Sequence, residues 1–395
     1  MKIVIIGGGM MSRAITHDLI NFQDAKDLVI IDNNETNLKL FEALYNDSVN
    51  LRLVHADARN NTALHESVGG ASIMLSCVPY QFNIGLLETA ITHHLHFIDL
   101  GGNNDIVDKQ FLLGEKAAQA GTTALPACGL APGAVSIMAA EAMNRLTAVD
   151  NIRMYCGGLP ARPKEPLKYQ IVFSPHGLIN EYIEPADVIE NYKIKSMPAL
   201  NGLEILKFDP AVGKLEAFMT SGGAGTLVRT LKGSVRSLSY KTLRYPGHRD
   251  MMKAMLDLGF ASETPVELPG IHQDRDAVKV SPRNFFEAIL ARMLPGGAPD
   301  IVVTRVTAEG LAGDSPASCT IEFIDHADSE TGLSAMMRCT GFSAAVIAGM
   351  IIRDEIKKRG VLAVEQAVPS TSFIDALKKR GIPVKESFKC KTDKR

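Results

Sequence analysis

Two glycines and an acid set the first chemical constraint on this chain. In "KIVIIGGGMMSRAITHDLI", Gly7 and Gly9 follow an apolar run and precede a helical stretch. Gly7 permits a sharp turn. Gly9 lets the backbone approach a pyrophosphate, which sits at the N-terminus of the following helix. Ser12 stands where the dinucleotide fingerprint carries its third glycine, and it is small enough to keep helix and strand close. Met10 and Met11 open the helix and join the cofactor-contacting candidates. "LVIID" ends in Asp32, 20 residues beyond Ser12. A carboxylate there accepts two ribose hydroxyls and repels a 2′-phosphate. Neither Asn33 nor Asn34 supplies a positive charge, so the expected cofactor is NAD rather than NADP. The bland alternative is a tight turn with a strand-capping Asp.

Further candidates lie at the ends of later apolar runs. Asp57 and Ala58 in "VHADARN" sit where a side chain reaches an adenine, or where it caps a helix. Cys77, Val78 and Pro79 in "SCVPY" fall at the carboxyl edge, where open α/β sheets bind ligands. "IDLGG" puts Asp99, Leu100 and Gly101 at the next strand end, with Asp99 aimed at the nicotinamide crevice or simply forming a turn. Pro132 in "CGLAPG" packs on the nicotinamide or stiffens a helix start.

The elements that must position these residues alternate. "KIVIIG", "LVIID", "LRLVHAD", "ASIMLSCVP", "HFIDLG" and "TTALPACG" are apolar runs separated by amphipathic segments. Strand then helix, repeated, predicts a parallel sheet covered on both faces. From about residue 133 the runs shorten, with frequent Pro and Gly, which predicts an antiparallel α+β unit. "GFSAAVIAGMIIRDEI" is a helix apolar enough to require burial. The expected fold is α/β: a Rossmann-type domain over 1–132, an α+β substrate and dimerisation domain over 133–330, and a C-terminal helical segment over 331–395 packing back on the first. The lysine-rich tail from about Glu386 is expected to fray.

The 395 residues carry a net charge of -2, which gives no basic field for nucleic acid. No apolar run reads as membrane-spanning, and the start with a strand shows no signal peptide. Six widely spaced cysteines without a C-x-x-C pair suggest neither a metal site nor a disulfide framework. The expectation is a cytoplasmic, homodimeric enzyme acting on a small molecule.

"SCVPYQFN", "DLGGNND", "CGLAPG", "GGLPARPKEPLKYQIVFSPHGLINEY", "KTLRYPGH" and "ETGLSAMMRCTGFSAA" stand in an order and spacing that resemble the lysine 6-dehydrogenase and saccharopine dehydrogenase family. The resemblance implies NAD(P)-dependent oxidation of an amine on an amino acid. Its first implication is oxidation of L-lysine at the ε-amine to allysine. The alternatives are secondary-amine oxidation by a saccharopine dehydrogenase, or a cofactor-binding sensor without turnover. Amine oxidation needs a deprotonated nitrogen, a carbon facing the nicotinamide and a grip on the far end of the amino acid. Asp99 is then a candidate to bind the amine or orient water. Arg244 is the candidate for the substrate carboxylate, because a guanidinium fork matches it. Tyr80, Tyr169 and Ser174 are candidate pocket residues, and His176 and His248 candidate proton shuttles.

Overall fold

The computed structural model describes residues 2–268 and 278–391. Its first sheet is built from β1 (Lys2–Ile6), β2 (Asp27–Asp32), β3 (Asn50–His55), β4 (Ala71–Ser76), β5 (His96–Asp99) and β6 (Thr123–Leu125). All pair in parallel in the order β6-β5-β4-β1-β2-β3. The order reverses at β1/β4, and the crevice at such a switch point is where these sheets take ligands. Alternation explains the uniform apolarity of the strands. Ile3, Ile5, Leu28 and Ile30 pack on one face and Val4, Ile6, Val29 and Ile31 on the other, so both faces are core.

The remaining strands are β7 (Ala148–Pro160), β8 (Ala186–Glu190), β9 (Lys193–Met197), β10 (Glu204–Lys207), β11 (Lys214–Met219), β12 (Ser237–Arg244), β13 (Val266–Leu268), β14 (Val278–Val280), β15 (Asp300–Ala312), β16 (Ser315–His326), β17 (Gly360–Val361) and β18 (Lys385–Cys390). Nine of them form a second sheet along β10-β11-β12-β7-β15-β16-β18, with β8 and β9 attached at β12. This sheet is mixed rather than antiparallel throughout, because β7 and β12 run parallel. The strand β17 extends the first sheet beside β6. Of the tail expected to fray, Lys385–Cys390 is paired instead, lying antiparallel to β16, and residues 392–395 lie outside the described residues.

The helix Ala335–Ile352 touches β4 and β5 of the first sheet and β15 and β16 of the second. It also packs along the helix Met10–Gln23, where Gly341 lies against Ala14. Contacts on all sides explain why it is apolar all round. Contrary to the sequence reading, this one helix is long and apolar enough to cross a membrane; 83% of it is buried inside the fold. A buried ion pair, Asp18 with Arg380, ties the C-terminal segment to the same helix, Met10–Gln23.

Candidate active site

The glycine turn fits the pyrophosphate of a dinucleotide. Gly7 has φ +95°, and a Cβ on it would lie 2.9 Å from the Cys77 carbonyl oxygen, so only glycine fits. A Cβ on Gly9 would meet nothing within 4 Å, which leaves an open approach to the backbone. Gly9 caps the helix Met10–Gln23 without a side-chain bond, so first-turn N–H groups are available to an anion. Met10 is exposed and Met11 half-buried beside this cradle. Ser12 is fully buried, and its hydroxyl donates to the Gly9 carbonyl at 2.8 Å. It packs as a third glycine would, and closes the first turn itself.

Asp32 stands at the end of β2. Its carboxylate accepts from the N–H of Gly8, from Asn34 N at 2.6 Å and from Asn37 Nδ2 at 3.2 Å. Asp57 and Ala58 follow β3. Arg59 grips Asp57 through Nε at 2.9 Å and Nη2 at 2.7 Å, and this hydrogen bonding holds the carboxyl down to about 2.

The crevice floor is Cys77, Val78 and Pro79 after β4 and Leu100 and Gly101 after β5. Pro132 is wedged between two glycines. A Cβ on either Gly101 or Gly225 would come within 2.9 Å of its ring. Asp99 does not face this crevice as expected. It is 1% exposed, and accepts from Gly101 N at 2.7 Å, Ala127 N at 3.0 Å and Gln110 Nε2 at 2.7 Å. Burial raises its pKa while those donors oppose the rise. Asp99 therefore shapes the glycine turn from beneath; buried and held by three protein donors, it is not presented to an amine or a water.

The second domain supplies a buried cationic cluster. Arg244, at the end of β12, is 3% exposed. Its guanidinium lies 4.7 Å from the ring centre of Tyr169 and 5.9 Å from that of Tyr182. Nε donates to the Tyr182 hydroxyl and Nη1 to the Leu243 carbonyl, each at 2.9 Å. Among the described residues, Nη2 has no protein acceptor, and the buried Tyr169 hydroxyl has no partner. His248 is not a proton shuttle in this arrangement. It is fully buried, with Nδ1 2.9 Å from the Leu167 carbonyl and Nε2 3.0 Å from the Tyr182 hydroxyl. A carbonyl only accepts, so Nδ1 carries the proton and Nε2 receives the phenol proton. Burial and then the Arg244 charge hold its pKa down to about 3, so the ring is neutral. A directed chain results: Arg244 donates to Tyr182, Tyr182 to His248, and His248 to Leu167.

Ser174 is exposed and caps the helix Pro175–Ile183 by accepting from Gly177 N, which is a helix-start role rather than a pocket one. His176 is exposed in the first turn of that helix, with Nδ1 2.9 Å from Glu287. Tyr80 bridges the domains. Its ring covers Gly102, and its hydroxyl accepts from Asn180 Nδ2 at 3.1 Å. Sequence reasoning missed Glu181, between Asn180 and Tyr182. Its carboxylate is partly buried and makes no hydrogen bond or ion pair among the described residues. Burial raises its pKa to about 7 against the opposing pull of Arg244. The signal for it was a single acid flanked by "LIN" and "YI" in a segment already singled out.

A dinucleotide cradle on a parallel sheet, joined to a second, mixed sheet that carries a buried arginine, defines a two-domain pyridine-nucleotide oxidoreductase. Residues 3–125 match the family model of the saccharopine dehydrogenase NADP binding domain, and residues 129–382 that of the saccharopine dehydrogenase C-terminal domain. The chain belongs to the saccharopine dehydrogenase family. It is 24% identical over 287 residues to the NADP+, L-glutamate-forming saccharopine dehydrogenase of Schizosaccharomyces pombe, covering 67% of this chain and 59% of that one. It is 24% identical over 332 residues to the carboxynorspermidine synthase of Vibrio cholerae, covering 79% and 73%. Its fold matches apo saccharopine dehydrogenase (L-Glu forming) from Saccharomyces cerevisiae with a TM-score of 0.77 at 18% identity, over 98% of this chain and 99% of that one.

Proposed function

We propose that the protein oxidises a secondary amine carrying an amino-acid carboxylate, as in saccharopine, or forms such an amine by the reverse reaction. The observation that carries this reading is Arg244: a buried guanidinium with one nitrogen uncommitted, held by Tyr182 on the helix whose Asn180 reaches Tyr80 of the first domain. Relatives named for saccharopine support the secondary amine over free lysine, which the sequence placed first. Arg244 Nη2 and the Tyr169 hydroxyl hold the carboxylate. The Tyr182–His248 chain keeps the guanidinium from turning away. When bound at the glycine turn, a pyridine nucleotide supplies the hydride acceptor.

For the cofactor we propose NAD. Asp32 places a carboxylate where a 2′-phosphate would lie, and Arg59, a nearby cation after β3, is already paired with Asp57. The family's domain description names NADP, so a direct comparison is the test. Formation of the reduced nucleotide, NADH or NADPH, is measured with saccharopine, lysine and a diamine lacking the carboxylate, using NAD and NADP. Saccharopine with NAD should give the highest kcat/KM. Arg244→Lys should lower kcat/KM for saccharopine by about 10- to 150-fold, the loss of one charged hydrogen bond of about 1.5–3 kcal/mol. It should leave the diamine unaffected. Faster turnover of lysine than of saccharopine would return the reading to ε-amine oxidation. Nucleotide binding with no amine-dependent reduction would make the protein a sensor.

A further inference from the structure

Three consecutive residues of the helix Pro175–Ile183 face three different tasks. The Asn180 amide reaches Tyr80 on the cofactor side of the crevice. The Tyr182 hydroxyl holds Arg244 on the substrate side. Glu181 lies between them. Its backbone carbonyl accepts from Ser221 N at 3.1 Å, which seats the helix against the loop 220–226. That loop meets the cofactor side at Gly225 on Pro132. The Glu181 side chain is half-buried on this helix with Arg244 within its field, yet no described side chain pairs with it. Its oxygens are not among the buried side-chain atoms left without a partner, so the unpaired carboxylate is open to a ligand rather than sealed in the fold.

We propose that Glu181 receives the proton from the substrate nitrogen, a role that rests on the amine reading above. An ammonium has no lone pair with which to expel hydride. The N–H bond breaks and an O–H bond forms on Glu181. The freed nitrogen pair then makes the C=N bond as the C–H pair leaves as hydride to the oxidised pyridine nucleotide. The same carboxyl returns the proton in the reductive direction. Arg244 and Glu181 do not pair with each other, so a carboxylate and an amine of one substrate can lie between them.

The groups that face Glu181 are consistent with a tuned acid. Arg244 lowers its pKa, whereas Glu184, half-buried one turn on, raises it. The phenols of Tyr169, Tyr182 and Tyr240 and the thiol of Cys156 lie within its field, and burial pushes all of them upward, so they stay neutral. Desolvation outweighs the Arg244 attraction and leaves Glu181 titrating near neutrality, where a general base works best.

The test is Glu181→Gln, which preserves shape, in the full chain. With saccharopine and NAD, kcat should fall about 10²- to 10⁴-fold, the usual share of a general base. The limb of kcat/KM that rises through pH 7 should vanish, and NADH binding followed by fluorescence should not change. Retention of that limb in the variant overturns the proposal. A second measurement does not depend on turnover. Glutamate and lysine are titrated into both proteins at pH 7 in two buffers of different ionisation enthalpy. The wild type should exchange protons with buffer on binding, and Glu181→Gln should not. Equal proton counts, or no binding of either amino acid to the wild type, also overturn it. If the wild type shows this proton exchange but turns over no amine, the function above fails while Glu181 remains an amine-binding acid.

Discussion

At the scale of single residues, the site is organised around keeping one guanidinium still. Arg244 stays charged at all relevant pH values, so the carboxylate grip proposed for it does not titrate. What titrates is its support. A base whose folded pKa lies below its unfolded one leaves the unfolded state binding more protons. His248, near 6.5 unfolded and about 3 folded, therefore favours the native state least at low pH. Its contribution is intact above pH 6.5 and is lost as pH falls from there towards 3. The full loss is on the order of 5 kcal/mol. Urea unfolding from pH 8 to pH 4 should show this acid limb in the wild type. His248→Asn should flatten the limb while lowering stability at pH 7, because Tyr182 loses its acceptor. An unchanged limb would assign it to other groups. Asp99 illustrates what residue type alone does not reveal. Its place at a strand end was legible from "IDLGG". The three donors that occupy it come from the turn itself, from Ala127 and from a helix beyond, which are separated from it along the chain and brought together only by the fold.

At the scale of elements, the first sheet was legible because strands buried on both faces leave unbroken apolar runs in the sequence. The glycine turn and Asp32 then mark which strand ends meet the cofactor. The second sheet was less so. Its central parallel pair joins residues 151–156 to 237–242, and nothing local in either strand records that partnership. The helix Ala335–Ile352 was recognisable as needing burial, and its seam with Met10–Gln23 gives a sharp test. A Cβ on Gly341 would fall 2.5 Å from the Ala14 Cβ and 3.0 Å from Ile15 N. Alanine improves helix propensity by about 1 kcal/mol, but overpacking costs about 1–3 kcal/mol. Gly341→Ala should therefore lower Tm despite the better propensity. The double variant with Ala14→Gly should be less destabilised than the sum of the singles, as expected for residues in direct contact. Additive losses would show that the seam relaxes without cost.

At the scale of the whole molecule, function depends on two domains meeting. The cofactor half carries the glycine turns, and the second half carries Arg244 and Glu181. Besides the shared core around the helix Ala335–Ile352, Tyr80 over Gly102 bonds to Asn180, Pro132 sits against Gly225, and Arg229 pairs with Asp108. The sequence presented Tyr80 and Arg244 as parts of one pocket but gave no sign that Asn180 joins their two sides. Asn180 is 8% exposed, and removing the Tyr80 hydroxyl leaves its amide without that acceptor. Tyr80→Phe should hence weaken communication between the halves more than it weakens either alone. On the proposed function the two ligands meet between the halves, so NADH and glutamate should each alter the other's affinity, by a reciprocal factor. A hydrogen bond of about 0.5–1.5 kcal/mol corresponds to roughly a 2- to 12-fold change in that factor. The affinities of NADH alone and glutamate alone should move less than this. Calorimetry of each ligand, free and in the presence of the other, measures all four. If Tyr80→Phe weakens binary NADH binding as strongly as the coupling factor, Tyr80 acts as a cofactor contact and the domain junction is carried by Pro132 and Gly225 instead.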